Sequence, residues 1–201
     1  MSLGVLIICL LAAILELDTT YAFQLTFSRG IIAGPIFALI TGDYAVGIQA
    51  GIFTELLFAD VNPLGAILPP SATVCCAIMV ALSFMGIELC YAFIVAVLGA
   101  LLFVHVERRV RKQRVRLFAS WEKRLLKRPD EINRIIFLEL GACFLINFVL
   151  ISLFIGASGA FMQWLQPHIP LRAFFACQFA FMAVPWIGLA SLIPEFRFKT
   201  R

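Results

Sequence analysis

Seven ionisable side chains fall inside or beside apolar stretches of this sequence: Asp18, Arg29, Asp43, Glu55, Asp60, Glu88 and Glu139. A charge placed in hydrocarbon is costly unless it is paired or hydrated, so such residues mark a substrate path or a built ion pair. Their chemistry is recognition: carboxylates accept hydrogen bonds from hydroxyl groups, and a guanidinium holds a carboxylate. Glu55 stands out, because it lies mid-run in Gly51-Ile52-Phe53-Thr54-Glu55-Leu56-Leu57-Phe58 with no basic residue nearby. Arg29 is the only Lys or Arg before residue 108, which makes it a natural partner for Glu55 or another early acid. Asp43 follows Gly42 between two apolar runs and suits a helix cap. Glu88 suits a turn facing water, and Glu139 lies one turn into its helix from the basic loop, where it can snorkel or pair with Arg134.

Bond-making chemistry has no comparable support. The sequence holds no P-loop, no GxGxxG, no GxSxG and no HExxH, and His105 and His168 are isolated. Cys9, Cys75, Cys76, Cys90, Cys143 and Cys177 lie in apolar surroundings, without a CxxC pair or a histidine at ligand spacing. They read as small buried hydrophobes rather than a disulfide framework or a metal site. The expectation is no catalytic residue, no metal and no cofactor.

The elements that must position these residues are membrane helices. Of 201 residues 62% are hydrophobic and 14% charged, with a mean hydropathy of +1.00. A soluble domain of this size needs far more polar surface. The net charge of +4 is uneven: residues 107–134 hold eleven of the sixteen Lys and Arg against four acids, so they carry +7 and the rest −3. The positive-inside rule places this segment and the basic tail from Glu195 in the cytoplasm, which favours lipid over nucleic acid as the neighbour of these charges.

Leu3 to Leu15 is a thirteen-residue apolar run, short for a span of about 20. It lacks a basic leader and is followed by Glu16 and Asp18, so it reads as a retained helix rather than a signal peptide. Gly30–Thr41 and Tyr44–Ala59 are short runs separated by Gly42-Asp43, and residues 62–71 carry Pro63, Gly65, Pro69 and Pro70. Broken backbone survives at membrane depth only when buried in protein or lining a cavity, so residues 16–71 read as hairpins that dip in and return. Ala72–Val106 divides near Met85-Gly86. Ile135–Ile155 and Leu171–Ile193 are spans, joined by a connector from Gly156 to Pro170. The fold class is an all-α membrane protein with several transmembrane helices and broken or re-entrant hairpins in its N-terminal half. Three regions follow: a membrane region with a broken-helix substrate site (1–106), a basic cytoplasmic loop (107–134), and C-terminal helices with a basic tail (135–201).

Residues 24–72 carry a resemblance. Ser28-Arg29-Gly30 with Ala33-Gly34-Pro35, then Gly42-Asp43, Gly47, Gly51 and Glu55, then Pro63-Leu64-Gly65 and Pro69-Pro70, keep the order and spacing of a known pattern from Arg29 to residue 71. This resembles the IIC subunit of the mannose/fructose/sorbose family of sugar phosphotransferase systems. The family pattern has Pro where Gly30 stands, Thr at Val46, Gly at Asp60 and Asp at Ser71, and its members have a longer C-terminal part.

The resemblance implies a permease subunit that binds and translocates a hexose-type sugar. A partner IIB protein would phosphorylate that sugar on the cytoplasmic side. It implies a IID membrane subunit and cytoplasmic IIA and IIB proteins as partners, with no phosphorylation site on this chain, so whether to class the chain as an enzyme stays open. A homo-oligomer stays open as well. The expected substrate-binding residues are Gln24, Glu55, Asn62 and Ser71, with Arg29, Asp43, Pro69 and Pro70 as structural or pairing residues. The alternative is a membrane scaffold or assembly subunit without transport activity.

Overall fold

A computed structural model describes residues 2–20, 25–58, 69–125 and 132–196. The described residues form seven α-helices: α1 (Leu3–Thr20), α2 (Gly30–Thr41), α3 (Tyr44–Phe58), α4 (Ala72–Phe84), α5 (Leu89–Leu125), α6 (Ile132–Leu165) and α7 (Leu171–Phe196). A single 3₁₀ turn, Gln166–His168, links α6 to α7. Among the described residues, three helices contain spans long and apolar enough to cross a membrane, over Leu89–Val115, Ile132–His168 and Leu171–Leu192. The chain is a multi-pass, all-α membrane protein.

α4 lies at the centre. Every residue from Thr73 to Leu82 is buried, because α1, α2, α3, α5 and α6 all pack around this helix. At about 1.5 Å per residue its thirteen residues reach only about 20 Å, short of a hydrocarbon core of about 30 Å. Its apolar residues all round therefore serve burial in protein rather than contact with lipid.

Contacts along the helices give their directions. Gly4 of α1 lies against the Phe84 ring at the C-terminal end of α4, while Glu16 meets Ser71 at its N-terminal end, so α1 and α4 are antiparallel. α5 returns along α4, with Gly99 against Ile78. α6 then climbs until Gly159 meets Met85 and Leu82, and Gln163 Nε2 donates to the Met85 carbonyl at 3.3 Å. α2 starts beside the first turn of α4, where Thr73 Oγ1 donates to the Ser28 carbonyl. α3 brings Glu55 back to the start of α2. Both open ends of this hairpin therefore lie at one end of the bundle, and its Gly42-Asp43 turn lies about 18 Å away, at the depth set by the twelve residues of α2.

The hairpin closes on small residues. Gly30, Gly34 and Ala38 of α2 meet Gly47, Gly51 and Thr54 of α3, with backbone against backbone. Gly42 lies outside that face; it terminates α2 in the left-handed region at φ 75°. Asp43 Oδ1 accepts from the Val46 N–H at 3.1 Å and caps the start of α3, as its position after Gly42 predicts. α7 holds α3 from outside: Phe181 packs on Phe53 with ring centroids 4.5 Å apart and on Phe93 of α5 at 5.3 Å, and Gly188 lies against Leu56.

Several sequence-based boundaries change. α1 does not stop at Leu15 but continues to Thr20, because its acids find partners inside the protein: Ser71 Oγ donates to Glu16, and the Leu25 N–H donates to Asp18. The basic segment is helix as far as Leu125, an extension of α5 supported at its start by the Glu107–Arg111 pair. α6 absorbs residues 156–165 of the expected connector, since Gly159 lets the Met85 side chain approach and Ser158 Oγ donates back to the Phe154 carbonyl. Glu139 pairs with Arg114, at 3.8 Å, and not with Arg134, because the extended α5 brings that arginine alongside α6.

Candidate functional site

Polar side chains gather where α2 and α4 begin. Arg29 precedes α2, and its Nη1 lies 2.8 Å from Glu55 Oε1. Glu55 Oε2 accepts from the Gly30 N–H at 2.9 Å. One carboxylate thus holds the N-terminal end of α2, where the helix dipole favours negative charge, and orients the arginine beside it. The arginine side chain remains 64% exposed and the glutamate 23%, so both keep a face open to a ligand. Each carboxylate oxygen still has acceptor capacity, since an ionised carboxylate offers about four lone-pair sites.

Ser71 precedes α4 in extended backbone, and its Oγ accepts from the Val74 N–H at 3.1 Å. The same hydroxyl donates to Glu16 Oε2 at 2.6 Å. Glu16 is only 3% exposed and lies within electrostatic reach of Glu107 and Arg111 of α5. Pro69 and Pro70 form the half-buried approach to this cap. Proline has no N–H to satisfy and its ring cannot continue a helix, which fixes where α4 can start. The Thr73–Ser28 hydrogen bond ties the start of α4 to the start of α2, so the Glu16–Ser71 and Arg29–Glu55 pairs belong to one constellation.

The structure therefore brings together Arg29, Glu55, Ser71, Pro69 and Pro70, and places Asp43 at the far turn of the hairpin. Gln24 and Asn62 lie outside the described residues, as does Asp60. Glu88 occupies the exposed turn before α5, as expected. Sequence reasoning left out Glu16 and Thr73. The signal for Glu16 was an acid closing an apolar run; for Thr73 it was a hydroxyl residue in the first turn after Pro69-Pro70-Ser71.

His105 and His168 each direct Nδ1 to a carbonyl one turn back, of Leu101 and Trp164, both at 2.9 Å. What the constellation offers is acceptors, a guanidinium and a hydroxyl, the equipment for binding a polyhydroxylated molecule.

The family described as the PTS system sorbose-specific IIC component matches residues 2–196. Among solved structures, one described as a membrane protein superposes with a TM-score of 0.73 at 20% identity, covering 99% of this chain and 81% of that one. A cryo-EM structure of the mannose transporter ManYZ in complex with microcin E492 superposes with a TM-score of 0.52 at 20% identity, covering 97% of this chain and 78% of that one. At such identities these two likenesses speak for the fold. No curated protein matches. The family match over nearly the whole chain, on an all-α membrane fold, decides the matter: the protein belongs to the sorbose-specific IIC component family and is a membrane permease subunit of a sugar phosphotransferase system.

Proposed function

We propose that the chain binds a hexose-type sugar at the start of α2 and α4 and releases it to the cytoplasmic side, where a IIB protein phosphorylates it. The observation that carries this reading is the convergence of Arg29, Glu55, Ser71 and Glu16 at one end of an otherwise apolar bundle. Glu55 accepts from sugar hydroxyls, Ser71 accepts alongside it, and Gln24 and Asn62 complete the hydrogen bonding. Arg29 fixes the hairpin by holding Glu55. A IID membrane subunit is the partner, by likeness to the mannose transporter ManYZ. Exposed Asp43 at the hairpin turn supports this, because a carboxylate at that depth is better covered by protein than by lipid.

The test is equilibrium binding of radiolabelled D-mannose, D-fructose and L-sorbose to vesicles carrying the chain with its co-expressed membrane partner. Saturable binding of at least one sugar is expected. No saturable binding of any of them sinks the permease reading and favours the scaffold alternative, for which Ser71 in place of an acid is the motivating observation.

Orientation follows from charge. α5 runs about 55 Å over thirty-seven residues, so its basic end projects beyond a hydrocarbon core of about 30 Å. The projecting end and the C-terminal tail face the cytoplasm, and the turn at Gln166 faces outside. Cysteines introduced at Gln113 and Thr200 are expected to resist a membrane-impermeant maleimide in intact cells, while one at Gln166 reacts. Labelling in the reverse pattern overturns the orientation.

A further inference from the structure

We propose that the cleft between the basic end of α5 and the start of α6 binds one anionic phospholipid, with its phosphate on Arg114 and Lys112 and an acyl chain along the seam of the two helices. The inference goes beyond the sugar site and shares no residue with it.

The two helices are antiparallel and leave their seam incompletely filled. They close on each other where Phe154 packs against Gly99. A space of about 70 Å³ adjoins that contact, bordered by Gly99, Phe103 and Leu150. A smaller one of about 10 Å³ follows between Phe103, Leu150 and Arg114. Beyond it a cleft of about 330 Å³ opens between Arg114 and Val115 of α5 and Ile135, Ile136 and Leu140 of α6. Each space shares a wall with the next, first Phe103 and Leu150, then Arg114. At about 1.5 Å per residue, Arg114 lies about 22 Å along α5 from Gly99. An acyl chain needs only about 15 Å to reach the middle of a hydrocarbon core about 30 Å thick.

The walls of the cleft differ in chemistry at one depth. Five of the seven residues from Arg108 to Arg114 are Lys or Arg, whereas α6 carries one charge, Glu139, between Ile135 and Leu150. The Arg114–Glu139 contact at 3.8 Å sets these two stretches side by side. The charges of α5 require water or headgroups. The apolar residues of α6 require hydrocarbon, and Ile136, Phe137 and Leu138 are 56%, 74% and 57% exposed. A phospholipid meets both demands, because its phosphate lies just above the start of its acyl chains. A soluble anion would leave the apolar wall wet.

Charge selects the headgroup. Only Glu107 and Glu139 stand against the five cations, so this level of the bundle is net positive. A guanidinium has five donors, which lets Arg114 keep Glu139 and still hold a phosphate oxygen. Lys112 is exposed one helical turn before Val115, on the face that borders the cleft. Basic pockets between membrane helices on the cytoplasmic side suit anionic headgroups for these reasons.

The test places a photoreactive benzophenone amino acid at Ile136 in the full chain, co-expressed with its membrane partner. The complex is reconstituted in nanodiscs of phosphatidylethanolamine with a minority of phosphatidylglycerol, irradiated, and its adducts identified by mass spectrometry. Phospholipid adducts are expected, with phosphatidylglycerol enriched several-fold over its share of the bilayer. Lys112→Gln with Arg114→Gln is expected to bring the adducts to the bilayer composition. Lys112→Glu, an exposed change that keeps the Arg114–Glu139 pair, is expected to lower the enrichment at least twofold, and it decides the matter should the double variant fold poorly. Leu140→Trp fills the cleft and is expected to lower the total lipid adduct several-fold.

Adducts to the partner protein in place of lipid overturn the assignment and make the cleft a subunit interface. Lipid adducts at the bilayer composition overturn it too, as does an enrichment that Lys112→Glu leaves unchanged. No sugar enters the measurement, so none of these outcomes bears on the permease reading.

Discussion

Gly51→Val is expected to remove most of the folded chain from the membrane. Gly51 sits where α3 crosses α2, and a Cβ built on it would lie 2.6 Å from the Gly30 carbonyl oxygen and 3.3 Å from its carbonyl carbon. Those neighbours are backbone and cannot rotate away. The opposite face is equally closed, because Gly34 meets the Gly47 and Gly51 backbone. Valine would therefore push the two helices apart and open the hairpin that carries Glu55 to Gly30.

Overpacking typically costs about 1–3 kcal/mol, and forcing backbones apart lies at the upper end. A loss of only about 1–2 kcal/mol already changes abundance several-fold. The substitution also removes a helix-interior glycine, which by propensity alone would stabilise. A fall in the monodisperse peak on fluorescence-detected size exclusion would therefore report packing and not helix strength. Gly141→Val on α6 is the control: nothing lies within 4 Å of a Cβ there, and near-normal levels are expected. A wild-type peak for Gly51→Val would show that the hairpin does not pack as described.

The small-residue hairpin was legible in sequence, and the reason is local. Gly42-Asp43 supplies a left-handed C-cap followed by a side-chain N-cap, so the ends of α2 and the start of α3 can be read within a few residues. Met85-Gly86 works the same way, with Gly86 at φ 85° between α4 and α5. Boundaries set by distant partners were not legible. α1 outruns its apolar stretch because Ser71, fifty-five residues on, receives Glu16. The basic end of α5 reads as a loop on charge alone, and its helix is braced by Arg114 against Glu139 of the next element.

The candidate site divides in the same manner. Glu55 and Arg29 could be nominated as partners because each is the odd residue of its neighbourhood, and the structure pairs them at 2.8 Å. Ser71 could be nominated from its place after Pro69-Pro70. That its hydroxyl is already committed to a buried acid could not, since no spacing rule links residues 16 and 71. The depth of the site, level with the start of the basic segment through Glu107 and Arg111, also emerges only from packing.

Glu55→Gln is expected to weaken sugar affinity by about ten- to a hundredfold while leaving membrane abundance within about twofold of wild type. The amide oxygen can still accept from the Gly30 N–H, so the N-terminal end of α2 stays anchored. What is lost is the charge: the amide N–H₂ then faces Arg29 Nη1, two donors in opposition, and neither oxygen-borne charge remains for a sugar hydroxyl. The stability cost is small because the Arg29 side chain is 64% exposed, and pairs so exposed contribute about 0–1 kcal/mol. Glu55→Leu separates the two roles. It removes the acceptor of the Gly30 N–H as well, leaves a half-buried donor unpaired at a cost of about 1–3 kcal/mol, and is expected to lower abundance several-fold. Sugar binding and membrane abundance measured on the same vesicles distinguish these outcomes. Unchanged affinity in Glu55→Gln at normal abundance removes Glu55 from the site. A loss of abundance in Glu55→Gln that Arg29→Gln restores would confine it to the ion pair, because relieving the donor conflict would then be all that the second change accomplishes.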